Sequence, residues 1–192
     1  YSQGLSGGWF GNPNATELKV SAMSVVAASA KGLMYFMTPM EQVAKYPGTW
    51  EAMGEVNRVV SGIRQFLREG EATGGAEASA DGVLVEAIRS SDAIVIPVVN
   101  VTAQTALDFS RCILEDEAHW ILAEVLADVT VQVPDDFAVA DLVEVVDGQV
   151  LSPSEAVSAE GRTLRIEGVE LSDARPYRVF VLIRSSDVAD RI

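Results

Sequence analysis

The sequence predicts a fragment of an α/β domain followed by an antiparallel β-sandwich. Residues 1–70 read as helix, continuous apolar run, helix. Composition then turns small, acidic and Gly-rich over residues 69–82. Beyond it come short β-rich runs separated by turn signals, the pattern of a sandwich. These changes divide the chain into residues 1–70, the end of an α/β domain, a linker at 71–82, and a β-sandwich at 83–192.

Residues 1–13 hold glycines and aromatics without periodicity and read as a loop. Asn14 then offers an N-cap, with Glu17 completing a capping box. Leu18, Ala22, Val25, Val26 and Ala30 recur at helical spacing, and Gly32 is placed to close the helix in a left-handed conformation. Leu33–Met37 are large and apolar with no polar alternation, as in a strand buried on both faces, and Pro39 ends the run. Thr49 is the expected cap of a second helix, in which Trp50, Met53, Val56, Val60, Ile63 and Leu67 step by three or four and Gly70 closes. A strand buried on both faces needs neighbouring strands, so this unit predicts companions that the chain itself does not encode.

The sandwich strands are expected at 83–90, 93–100, 122–133, 138–146, 162–168 and 177–184. Turns are expected at Ser90-Ser91-Asp92, Pro134-Asp135-Asp136, Asp147-Gly148 and Ser172-Asp173. Residues 108–127 have helical propensity but are read as strand or loop.

The chain has 192 residues and a net charge of -14, with 48% apolar and 22% charged residues, a globular composition. The acidity argues against nucleic-acid and anionic-membrane partners, which select a positive footprint. No basic segment followed by an apolar one marks a signal peptide, and no apolar run is long enough to span a bilayer. The chain opens on Tyr1 rather than Met, so either an upstream segment was removed or it is a piece of a longer protein. The single cysteine, Cys112, excludes an intrachain disulfide and reads as a small buried hydrophobe; as a thiol nucleophile it would need His119, the one histidine. His119 near Glu115, Asp116 and Glu117, and Asp135-Asp136 with Asp141, read as solvated acidic turns rather than metal sites. Gly4, Gly7, Gly8 and Gly11 do not match a phosphate-binding spacing, and no cofactor is expected. Asn14-Ala15-Thr16 and Asn100-Val101-Thr102 are formal glycosylation sequons.

NPNATELKVSAMSVVAASAKGLMYFM (residues 12–37), followed by YPGTWEAMGEVNRVVSGI (residues 46–63), resembles the last turns of (β/α)8-barrel glycoside hydrolases of the β-galactosidase type. The run ASAKGLMYF (residues 28–36) fits that family's eighth strand, with Ser29 where a Gly is usual. VEAIRSSDAIVIPVVNVT (residues 85–102) resembles the opening hairpin of the small β-sandwich that often follows. The resemblance implies the last helix–strand–helix of a (β/α)8 barrel, over residues 1–70, joined to an antiparallel β-sandwich. It also implies hydrolysis of glycosidic bonds by two carboxylates at the ends of the fourth and seventh strands. Residues 1–13 would be the loop after the seventh strand, which places both carboxylates upstream of Tyr1 and leaves no catalytic residue in this chain.

By the same resemblance, the rim of the substrate cleft would remain. Gln3 and Trp9 in the first loop, and Tyr35 and Thr38 at the end of the eighth strand, are the expected substrate-binding residues, with Tyr1, Phe10 and Met37 beside them. Aromatic faces stack on sugar C–H surfaces, and amides and hydroxyls bond sugar hydroxyls; alternatively, these aromatics simply pack the barrel top. The expected partners are a carbohydrate and the remainder of the parent barrel. The rival reading is a stand-alone, non-catalytic sandwich module for carbohydrate or protein binding, with residues 1–70 packed as two helices against it. An exposed apolar strand edge at Leu33–Met37 would favour the fragment, and a self-sufficient compact body the module.

Overall fold

A computed structural model describes residues 13–35, 47–102, 122–153 and 156–184. Helix α1 spans Ala15–Ala27 and begins at the expected capping box. Asn14 Oδ1 accepts from the Glu17 N–H at 2.7 Å, and Glu17 Oε2 accepts from the Asn14 N–H at 2.9 Å. The helix ends earlier than Gly32. Ser29 takes the left-handed conformation, with φ 63°, while its N–H donates to the Val26 carbonyl and the Ala30 N–H to the Val25 carbonyl. This is a Schellman closure with serine in the position that favours glycine. The Ser29 hydroxyl is also buried without a partner. Ser29→Gly is therefore expected to raise the unfolding free energy by about 1 kcal/mol, read from the shift in the urea midpoint. A lower midpoint would show that the serine is needed where it stands.

Helix α2 spans Pro47–Glu69. Proline fits the first turn, where its missing N–H has no intrahelical use. Ala52, Val56, Val59, Ile63, Phe66 and Leu67 form the buried stripe. Thr49, the expected cap, lies inside the helix, and its hydroxyl donates to the Pro13 carbonyl at 2.8 Å. At the far end Lys31 Nζ donates to the Leu67 carbonyl at 3.0 Å and to the Gly70 carbonyl, a cation on the negative end of the helix dipole. Gly70 is obligatory, because a Cβ there would lie 2.5 Å from the Phe66 carbonyl oxygen and 2.7 Å from Ile88 Cγ2. The two contacts, start to start and end to end, show that α1 and α2 run parallel.

The strands are β1 Glu71–Ala72, β2 Ala76–Ala78, β3 Val83–Val85, β4 Ile88–Arg89, β5 Ala93–Asn100, β6 Val125–Gln132, β7 Asp141–Val146, β8 Gln149–Leu151, β9 Ala156–Glu160, β10 Thr163–Leu171 and β11 Tyr177–Ile183. One sheet has the order β1-β4-β5-β11-β7-β8, with β3 also on β5; the other has the order β2-β6-β10-β9. All their described pairings are antiparallel. The β-rich half thus has the expected antiparallel strands. Residues 71–82, read as a linker, also contribute β1 to one sheet and β2 to the other. Asp147 and Gly148 both take positive φ, 51° and 77°, in the two-residue turn between β7 and β8.

The layers are helices, seven-stranded sheet, four-stranded sheet. On β5 and β11, Val95, Val99, Val179, Val181 and Ile183 face α1 and α2 in one apolar cluster. Ile94, Ile96, Val98, Phe180 and Leu182 face Val129, Val131, Ile166 and Leu171 of the second sheet in another. Every residue of β5 and β11 is buried. Burial on both faces, expected at Leu33–Met37, therefore belongs to these antiparallel central strands. The described part of that apolar run, Gly32–Tyr35, has no regular strand, and Met34 is 89% exposed. Neither sheet includes residues 32–35, and Leu33 and Tyr35 pack instead on the core beneath the helices.

Candidate functional site

Tyr35 is the one expected substrate-binding residue that falls among the described residues; Gln3, Trp9 and Thr38 lie outside them, as do Tyr1, Phe10, Met37, Cys112 and His119. The chain leaving α1 lays the Tyr35 ring, half-buried, on the core shared by the helices and the first sheet. Its hydroxyl is buried with no hydrogen-bond partner, and burial raises its pKa above the ordinary tyrosine value. Close by, elements of the helical layer and the seven-stranded sheet meet in a polar chain. Lys19 on α1 pairs with Glu55 on α2 at 2.5 Å, and the Tyr177 hydroxyl on β11 donates to Glu55 Oε1 at 3.1 Å. Burial, then the negative charge of Glu55, push the Tyr177 pKa far above its ordinary range, so it stays a neutral donor. Glu55 is thus held by a cation and a phenol, an arrangement that locks the helices onto the sheet.

Along the polar side of α2 lies an open groove of about 640 Å³, lined by Asn57, Arg58, Ser61, Gly62, Arg64, Gln65, Asp147 and Gly148. The amphipathic spacing of α2 puts this polar stripe outward. The β7–β8 turn closes the groove's end because glycine at 148 lets the turn approach the Arg58 backbone, where a Cβ would lie 3.3 Å from the Arg58 carbonyl oxygen. Arg58 Nε donates to Asp147 Oδ1 at 2.5 Å. Among the described residues the groove offers guanidinium, amide and hydroxyl groups and no aromatic platform. Its carboxylate is engaged by Arg58, so it supplies polar contacts and no acid–base pair.

Several polar residues singled out in the sequence have structural partners. Asp136 accepts from Arg89 and Asp135 pairs with Arg162, and the Arg89 hydrogen bond holds the Asp136 carboxyl below its usual range. Asn100, in a sequon, is fully buried and donates to the Ala123 carbonyl at 2.8 Å, which leaves no room for a glycan in this fold. Asn14 caps α1. Sequence reasoning missed the Glu55–Tyr177 contact, which joins residues 122 positions apart. The groove's polar stripe was visible as the solvent side of the second helix, whereas its β7–β8 wall was not.

No protein-family model and no curated protein matches the sequence. Among solved structures the chain is similar to a cycloisomaltooligosaccharide glucanotransferase of Paenibacillus sp. complexed with cycloisomaltoheptaose, with a TM-score of 0.53 and 9% identity. The match covers 91% of this chain and 28% of that one, so the chain spans little more than a quarter of its neighbour's length. It is also similar to a glycoside hydrolase family 30 subfamily 8 xylanase of Clostridium acetobutylicum, with a TM-score of 0.45 and 12% identity over 90% of this chain and 40% of that one. At such identities the likeness to the glucanotransferase is one of fold: the helices and sheets of this chain recur together inside a longer carbohydrate-active enzyme.

Proposed function

We propose that this chain is the C-terminal portion of a carbohydrate-active enzyme of the glycoside hydrolase kind, the end of a (β/α)8 barrel with its appended β-sandwich. The observation that carries the reading is the fold likeness to the glucanotransferase, which takes in nearly the whole chain as a minor part of a longer one. The parallel direction of α1 and α2 supports it, since successive helices of a barrel run parallel. So does the resemblance of ASAKGLMYF to a barrel's last strand. On this reading the catalytic acid and nucleophile lie upstream of this chain, and the carbohydrate is the parent's substrate. Tyr35, with Gln3, Trp9 and Thr38, borders its cleft.

The isolated 192 residues are therefore expected to turn over no aryl glycoside, while the polypeptide extended upstream by its own gene does. Turnover by the isolated chain that tracks its purification overturns the reading. The rival, a stand-alone module binding carbohydrate or protein, is favoured by one observation: α1 and α2 share a continuous apolar core with the first sheet. Titration of the isolated chain with neutral oligosaccharides separates the two. Saturable binding without any upstream partner favours the module.

A further inference from the structure

The polar groove along α2 is not absorbed by the proposed function, since it shares no described residue with the expected cleft rim. Its charge runs against that of the chain. The protein has 14 basic and 28 acidic residues, yet between Glu55 and Glu69 helix α2 carries Arg58, Arg64 and Arg68 and no carboxylate. Arg58 is engaged by Asp147, whereas Arg64 is exposed and makes no hydrogen bond or ion pair among the described residues. The Asn57 and Ser61 side chains line the same stripe and make none there either. Gln65 also lines the groove, and its Nε2 is buried without an acceptor, a costly state that an incoming acceptor relieves. A guanidinium, two amides and a hydroxyl on one helix face thus hold hydrogen-bonding capacity that the fold does not use. At about 640 Å³ the groove has the size of sites that hold small organic molecules rather than a lone ion.

The same groups select among ligands. The planar fork of Arg64 matches a carboxylate or a phosphate with two parallel bonds. Asp147 at the groove's end repels a dianion more strongly than a monoanion, and its second oxygen accepts from a hydroxyl, which a phosphate dianion does not offer. A neutral sugar finds no aromatic face to stack on among the described residues. We propose that this groove binds a sugar acid, a monoanionic carboxylate carried on a hydroxyl-rich ring. Arg64 takes the carboxylate, and Gln65 turns its amide N–H groups toward a ligand oxygen. Asn57 and Ser61 bond ring hydroxyls, and a further hydroxyl donates to Asp147. The inference goes beyond the barrel-end reading and does not depend on it, because every group belongs to this chain whether it ends an enzyme or stands alone.

Calorimetric titration of the 192-residue chain with sodium D-glucuronate at low ionic strength tests the proposal, with D-glucose and inorganic phosphate as comparison ligands. Glucuronate is expected to saturate, to bind roughly 10-fold or more tightly than either comparison ligand, and to weaken as salt is added. Arg64→Gln weakens glucuronate roughly 10-fold and leaves the urea midpoint unchanged, because the side chain is exposed and unpartnered. Arg64→Lys keeps the charge without the fork and recovers only part of the loss. Arg162→Gln removes the same charge from the four-stranded sheet and leaves binding as it was. The proposal is overturned by a glucuronate titration that does not saturate, by equal or tighter binding of glucose or phosphate, by binding that Arg64→Gln leaves intact, or by equal losses for Arg64→Gln and Arg162→Gln.

Discussion

Replacing Glu144 with alanine is expected to lower the unfolding free energy by about 3–5 kcal/mol, measured by urea denaturation. Glu144 on β7 and Arg178 on β11 lie inside the sandwich, 4% and 2% exposed. The guanidinium grips the carboxylate with two bonds, Nε to Oε1 at 2.8 Å and Nη2 to Oε2 at 2.6 Å, and lies 4.9 Å from the centroid of the Phe180 ring. Arg175 adds a contact at 2.5 Å from a half-exposed position. Removing the carboxylate takes from the buried Arg178 guanidinium both of the Glu144 bonds that help offset its desolvation, which is why truncating one partner costs far more than the pair contributes. The control follows from the same reasoning. Arg175→Ala leaves the buried pair intact and is expected to cost about 1 kcal/mol or less, since its side chain faces water. Equal losses for Glu144→Ala and Arg175→Ala would show that the burial of Arg178 carries no penalty here.

Local chemistry was legible in the sequence where it was self-contained. The Asn14–Glu17 capping box, the Asp147-Gly148 turn and the strand 93–100 each depend on residues close together in the chain, and the structure has all three. The misreadings came from tertiary context. A continuous apolar run signals burial on both faces but not the direction of its neighbours. At 93–100 it marks an antiparallel strand between helices and a second sheet, while at 33–35 it marks a segment that packs Leu33 and Tyr35 on the core without being a strand. Gly32 looked like the helix terminator because glycine is the favoured left-handed residue. Packing instead closes α1 at Ser29, the position at which the resembled family carries glycine. The acidic stretch 71–82 looked like a linker because its side chains are small and mostly solvent-facing. Its backbone still pairs at the sheet edges, where side-chain pattern is weakest. The polar chain around Tyr177 had no sequence signal, because nothing in either neighbourhood specifies the other.

Met23→Ala is expected to destabilise the protein by about 2–5 kcal/mol and to do so in a single transition. Met23 is fully buried on α1, in the cluster that also holds Val56 and Ile63 of α2 and Val95, Val179 and Val181 of the sheet. The cavity it leaves therefore lies in a core owned by both the helical and the β-rich parts. If that core couples them, helical circular dichroism and amide exchange in β5 and β11 lose stability together. If the composition change at 69–82 instead marks independent domains, the helices melt first and the exchange protection of β5 and β11 is unmoved. The polar side of the same interface argues for coupling, since Glu55 joins Lys19 of α1 to Tyr177 of β11. Coupling also bears on the proposed function. Under that proposal, a sandwich sharing a core with the helices would be fixed in orientation to them, and would brace the segment that carries Tyr35 rather than act as a tethered module free to search for its own ligand.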